Sequence, residues 1–262
     1  MSAQTSDSIE AFEIINKGGK APLVLVCEHA SNFVPEKFNG LGLEPARLND
    51  HIAWDPGALN VAKSLASLLE APLFAARISR LVYDCNRPPE ASDAIPSVSE
   101  VYDIPGNTNL SNDDKSWRVN NIYTPFHAGL SDLIEQKVTQ DQAPLIVTIH
   151  SFVPVYKGQV RETEIGILHD IDSRLADYIL EEGKRDLDFK VARNEPYNAS
   201  DGVTHTLQKQ AIKKKLPNVM IEIRNDLIKD EGGVQKVAHS LARILQSKLS
   251  EGTFADKKRV SS

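Results

Sequence analysis

His29 stands two residues beyond one short apolar run and His150 directly behind another. Two histidines and one carboxylate are the three protein ligands that a catalytic zinc site needs, with a fourth position left for water. A single strand-end histidine is more often a structural hydrogen-bonding group, so the argument rests on several such endings converging. Asp55, in His51-Ile52-Ala53-Trp54-Asp55-Pro56, is the best third ligand, because a helix starting there would face the same crevice; Glu28 and Asp84 are its rivals. The plainer reading of Asp55 is a helix N-cap ahead of a first-turn proline. Glu222 lies inside an apolar run, a costly place for an unpaired carboxylate, and is the expected general base, with Arg224 or a metal-held water as its partner. A structural salt bridge is the alternative for it. Asn86-Arg87 offers a planar fork of donors plus an amide, which suits a substrate carboxylate. Ser31 and Asn32, just after His29, are further candidate substrate contacts. Arg80 and Arg224 either join that clamp or pair with Asp84 and Asp226. Zinc, or a neighbouring divalent cation, would bring the pKa of a bound water to about 7 and polarise a carbonyl, as amide hydrolysis at neutral pH requires.

The element that brings strand-end residues together is an open α/β sheet, whose ligand crevice lies outside the carboxyl ends of its strands. Four runs read as buried strands: Pro22 to Cys27, Ser79 to Cys85, Leu145 to Ile149 and Asn218 to Ile223, with a weaker fifth at Glu164 to Leu168. Between them, Gly57 to Leu69, Ile122 to Val138, Ser173 to Glu182 and Gly233 to Leu249 repeat apolar residues at helical spacing. This alternation predicts a three-layer α/β/α sandwich with a mostly parallel central sheet, phosphorylase/hydrolase-like, in one domain over 1–262. About ten residues at the start and 253–262 are expected to be flexible tails. The polar stretch from Pro88 to Ser116 reads as an irregular loop over one edge of the site.

Composition narrows the function classes. A hydrophobic share of 41% with 25% charged residues is ordinary for a globular protein, and the formal net charge of −6 argues against a nucleic-acid partner. No apolar run approaches the roughly 20 residues that cross a bilayer. The two cysteines, Cys27 and Cys85, fall in or beside apolar runs, and the first residues lack the pattern of a signal peptide, so a cytoplasmic protein with reduced thiols is expected. GxxxxGK, GxGxxG and GxSxG are all missing, which removes three common enzyme classes.

Taken in order, CEHASNFVP, HIAWDPGA, SRLVYDCNRP, IHSFVPVY, NEPY and IEIRNDLI resemble the N-formylglutamate amidohydrolase family over about residues 20 to 245. The resemblance implies a zinc-dependent hydrolase that splits N-formyl-L-glutamate into formate and L-glutamate, a late step of histidine breakdown in some bacteria. The family is also distantly similar to zinc carboxypeptidases and peptidoglycan amidases. By that analogy His29 and His150 match the histidine ligands, Asp55 the acidic ligand, Glu222 the catalytic carboxylate and Asn86-Arg87 the pair that holds a substrate carboxylate. One departure is Asn32, where carboxypeptidases place a glutamate ligand three residues after the first histidine. Asn194 to Tyr197 and Asp201 to Thr206 resemble a family loop bordering the substrate, which adds Tyr197 as a substrate contact and His205 as an oxyanion stabiliser.

Two other readings compete. A zinc amidase for peptidoglycan or a small N-acyl peptide would use the same metal site, and the width of the crevice under the 88–116 loop separates the two. A non-catalytic small-acid binding module would have no reason to keep Glu222 and both histidines.

Overall fold

The computed structural model describes residues 9–138, 143–252 and 254, so the two expected tails lie, but for residues 9, 10 and 254, outside the described residues. The strands are β1 (Phe12–Ile15), β2 (Leu23–Cys27), β3 (Leu73–Ala76), β4 (Val98–Ser99), β5 (Tyr102–Asp103), β6 (Leu145–Phe152), β7 (Val155–Tyr156), β8 (Gln159–Val160), β9 (Ile165–Leu168), β10 (Val191–Arg193) and β11 (Asn218–Arg224). The helices are α1 (Ala58–Leu68), α2 (Asn112–Arg118), α3 (Thr124–Lys137), α4 (Arg174–Asp186), α5 (His205–Gln210) and α6 (Glu231–Ser250). Seven strands form one sheet in the order β1-β3-β2-β6-β11-β9-β10. Neighbours among β3, β2, β6 and β11 run parallel, as do β9 and β10, whereas β1 is antiparallel to β3 and β9 to β11. The other four strands make two short hairpins, β4–β5 and β7–β8.

Helices cover both faces, and that is why the central strands read as continuous apolar runs rather than alternating ones. Every residue of β2, β6 and β9 is buried. Leu23, Leu25, Leu145, Val147, Val219 and Ile221 point to the layer of α1, α4 and α6; Val24, Val26, Phe74 and Ile146 point to the opposite layer, where Phe126, Leu130 and Ile134 of α3 meet them. The three-layer sandwich with a mostly parallel sheet is the architecture expected. Among the described residues no helix is long and apolar enough to cross a membrane.

Three local expectations need correcting. Ser79 to Cys85 is not a strand. Ser79 Oγ donates to Ala53 O at 2.8 Å and accepts from Leu81 N at 3.2 Å, while Val82 N donates to Ser79 O at 2.9 Å, so a serine-tied turn satisfies the backbone that a ladder would otherwise pair. Leu81, Val82 and Tyr83 are buried there without belonging to the sheet. The strand in that place is β3, whose alanines give a weak β signal. Secondly, Asp55-Pro56 does not cap α1: the N-cap is Gly57, in a left-handed conformation at φ 83°, and makes no side-chain cap bond. Thirdly, 88–116 is not wholly irregular, because it holds the β4–β5 hairpin and the start of α2, where Ser111 accepts from Asp114 N at 3.1 Å.

Candidate active site

The strand ends of β2 and β6 and the turn before α1 converge. His29 follows β2, His150 lies near the end of β6, and Asp55 N donates to His29 O at 2.9 Å, tying the two motif loops together. Freed from capping, the Asp55 side chain turns inward, with Oδ2 3.3 Å from His29 Nδ1, 3.0 Å from His150 Nδ1 and 3.2 Å from Ser151 N. The two Nδ1 atoms face each other at 3.2 Å. His29, Asp55 and His150 are all buried and offer ligand atoms within 4.8 Å of one another.

These donors fit a divalent cation. Asp84 Oδ1 sits 2.9 Å from His29 Nε2, so that with a proton in that bond Nδ1 is the nitrogen left to face Asp55 and His150. Glu28 Oε2 lies 3.1 Å from His150 Nε2 as a charge contact, off the line of a hydrogen bond, since both atoms lack an aligned partner. Two ring nitrogens and a carboxylate oxygen turned toward one point, with a carboxylate behind each imidazole, is the donor set of a zinc centre and its outer shell. Of the three rival acids, Asp55 therefore faces the donor cluster, while Glu28 and Asp84 stand on the far side of the rings. Arg80 is wedged between two of these acids, with Nη2 2.8 Å from Asp84 Oδ2 and Nη1 3.4 Å from Asp55 Oδ1.

Glu222 is aligned with His150 across the parallel β6–β11 pair. It is 5% exposed, and its Oε2 has no hydrogen-bond partner among the described residues. Burial, with the nearby Asp55 charge adding to it, pushes its carboxyl up to about 7 against the pull of His150, His29 and Arg80. Arg224, an expected partner, is drawn away: its Nε donates to Asp226 Oδ1 at 2.8 Å and its Nη1 to Arg161 O at 3.1 Å. A buried carboxyl poised near neutrality beside a cation site is equipped to move a proton.

A cavity of about 230 Å³ opens over this cluster. His29, Asp55, His150, Arg80, Glu222, Asn86, Arg87 and Tyr197, all candidate site residues of the sequence, line it. Asn86 is occupied at both ends, donating from Nδ2 to Val203 O at 2.6 Å and accepting from Thr206 N at 2.9 Å, so it braces the 203–206 segment. Arg87 donates from Nε to Asp93 at 2.7 Å and from Nη1 to Asn86 O and Gly202 O at 3.0 Å each. Tyr197 Oη accepts from Arg161 Nη1 at 3.0 Å.

Four expected site residues are not among the residues lining that cavity. Ser31 lines a separate, larger groove beside β1, and its Oγ accepts from Phe33 N at 3.1 Å. Asn32 donates to Leu48 O and Asn49 Oδ1. Arg224 is engaged as described. His205 faces Tyr123, with its Nε2 2.9 Å from Tyr123 Oη. In their place the structure adds His51, whose Nε2 is 3.2 Å from Glu100 Oε2, together with Ser99, Ser151 and Tyr156. The sequence signal for Glu100 was weak, because it sits in the polar 88–116 stretch where nothing distinguishes one acid from its neighbours.

Residues 21–229 match the model of a family described as N-formylglutamate amidohydrolase. The crystal structure of a gene product from Agrobacterium tumefaciens is similar at 48% identity and a TM-score of 0.90, over 94% of this chain and 98% of that one. An N-formylglutamate amidohydrolase from Ralstonia eutropha JMP134 is 20% identical with a TM-score of 0.69, over 93% and 98% of the two chains, a likeness of fold. No curated protein matches the chain.

Proposed function

The chain belongs to the N-formylglutamate amidohydrolase family, and from that membership we propose that it hydrolyses the amide of an N-acyl acidic amino acid, N-formyl-L-glutamate first among them, to formate and the free amino acid. The observation that carries this reading is the meeting of His29, Asp55 and His150 beside the buried Glu222, whose Oε2 has no partner among the described residues, in one small cavity. Zinc, or a neighbouring divalent cation, is the cofactor of the reading, held by those three side chains, and when bound it supplies Lewis acidity that polarises the acyl carbonyl.

The residues divide the remaining work. Glu222 takes a proton from the attacking water as its oxygen bonds to the acyl carbon, and returns the proton to the amide nitrogen as the C–N bond breaks. Asp84 and Glu28 hold the two imidazoles in orientation, and Arg80 offsets the charge of Asp55 and Asp84. Arg87 Nη2, which makes no hydrogen bond among the described residues, receives the substrate carboxylate, while Tyr197 borders it. Ser99 and Glu100 reach over the cavity from the 88–116 segment. A space of about 230 Å³ walled in this way favours a substrate of about a dozen non-hydrogen atoms over a polymer such as peptidoglycan. His205 has no reacting atom to face in this proposal, its Nε2 lying 2.9 Å from Tyr123 Oη. A single domain working in the cytoplasm completes the reading, with Cys27 and Cys85 as free, buried thiols.

The test is formate release from N-formyl-L-glutamate by zinc-loaded protein beside its Glu222→Gln variant. We expect turnover that the variant lowers by about 10²–10⁴-fold with metal content unchanged. A metal-loaded wild type that releases no formate refutes the substrate assignment, and full activity in stoichiometrically metal-free protein refutes the cofactor.

A further inference from the structure

One wall of the cavity is built from two places far apart in the sequence: the turn carrying His51 and the tip of the β4–β5 hairpin, which contributes Ser99 and Glu100. Glu100 Oε2 and His51 Nε2 meet at 3.2 Å. Apolar packing is slight at the hairpin tip, where Val98 and Val101, on either side of Ser99-Glu100, are 53% and 76% exposed. Polar contacts steady it: His51 Nε2 approaches Glu100 Oε2 off the line of a hydrogen bond, and Arg47 Nη1 donates to Tyr102 Oη at 3.1 Å. Glu100 itself adopts a left-handed backbone at φ 54°, a conformation that side-chain-bearing residues seldom take.

The charges in the cavity do not all have a task in the hydrolysis. Among the described residues three carboxylates line it, those of Asp55, Glu222 and Glu100. Asp55 faces both histidines and Arg80, and Glu222 is the proposed base; Glu100 serves neither end. On the cationic side, Arg80 is divided between Asp55 and Asp84, and Arg87 is bonded to Asp93 and two carbonyls. One guanidinium edge, at Arg87 Nη2, is left for one substrate carboxylate. A substrate bearing a second carboxylate must lodge it in a cavity that already holds the Glu100 charge, with the His51 imidazole as the neighbouring group that can offset it.

We propose that Glu100, partnered by His51, is a specificity-determining residue that reads the charge at the far end of the substrate side chain. Its carboxylate disfavours a second negative charge, and His51, whose Nε2 lies beside Glu100 without an aligned hydrogen-bond partner among the described residues, relieves that penalty by offering that nitrogen to the substrate. The proposal rests on the reading that the site hydrolyses N-formyl amino acids, and it concerns discrimination between a carboxylate and a carboxamide of the same shape.

The experiment compares kcat/KM for N-formyl-L-glutamate and N-formyl-L-glutamine in metal-loaded wild type, Glu100→Gln and His51→Asn. The readout is the glutamate-to-glutamine ratio, which is insensitive to the fraction of folded, metal-bearing protein in a sample. Glu100→Gln raises that ratio by about tenfold or more, because a like charge has been removed, and His51→Asn lowers it, because the offsetting group has gone while the carboxylate remains. A ratio within about twofold of wild type in Glu100→Gln, or a shift of the same sign in both variants, overturns the proposal. The Kd values of L-glutamate and L-glutamine, measured by calorimetry on the same proteins, give the same ratio without turnover. If neither substrate releases formate, the hydrolysis reading fails by itself and the binding ratio decides on Glu100.

Discussion

Two pairs of histidines pack almost alike in this protein and are prepared for opposite tasks. The rings of His29 and His150 lie 4.9 Å apart at 74°, those of His127 and His205 5.3 Å apart at 85°. Around the first pair stand carboxylates. For His29, burial and Arg80 pull the pKa down, but Asp84 and Asp55 outweigh them; for His150, Glu28 and Asp55 outweigh burial. Around the second pair stand a carbonyl, an amide, a phenol and a lysine. His127 Nε2 donates to Cys85 O at 2.9 Å and its Nδ1 receives Gln210 Nε2 at 3.2 Å, and burial pushes its pKa down to about 3. Burial and Lys209 push His205 down to about 4. Residue type is therefore a poor guide to role: an imidazole backed by acids sits where positive charge, a proton or a metal ion, is favoured, and one without them becomes a neutral hydrogen-bonding strut.

The largest effect that would break this comparison comes from exchanging the ligands. His150→Ala should lose both bound metal and turnover, while His127→Gln should keep its metal, as elemental analysis of the purified variants will report. Retention of one metal per chain by His150→Ala would remove the distinction between the pairs.

The acids behind the first pair come next. Asp84→Asn keeps the shape beside His29 Nε2 but removes the charge, and should weaken metal affinity by about 10–100-fold in competition with a chelator. Equal affinity would mean that Asp84 serves only Arg80.

The second pair should show itself in acid. In the unfolded chain His127 gains a proton near its ordinary value of 6.5, in the folded protein only near about 3, so between those limits the unfolded state binds more protons. Stability therefore falls as pH drops through that window, by up to about 1.4 kcal/mol per pH unit from this residue. Urea unfolding across the window should give a shallower slope for His127→Gln than for wild type, and parallel slopes would place the acid sensitivity elsewhere. The smallest effect is expected at His205, where His205→Gln should keep kcat/KM within about tenfold of wild type; a larger loss would restore to it the oxyanion role read from the sequence.

Much of the fold was legible because burial on both sides of a parallel sheet writes itself as short, continuous β-branched runs, as in Leu145 to Ile149. The runs that misled were those whose backbone bonds are supplied locally. Leu81 to Tyr83 is as buried as any strand, yet Ser79 ties it into a turn, and no apolar pattern reports a serine side chain satisfying backbone groups. The edge strands β1 and β10 escaped notice because they are short and only partly buried.

By itself the sequence determined the donor chemistry and its address: histidines, acids and an Asn-Arg pair set behind apolar runs, in an order that marks a family. Which acid would face the histidines, whether Arg87 was free, and that Glu100 would look into the cavity while His205 would not were decided only by the tertiary structure. The reason lies in range. Strand ends follow from periodicity over a few residues, whereas the partners of a buried side chain arrive from far along the chain, 26 residues for His29 and Asp55 and 121 for His29 and His150, and only packing brings them together.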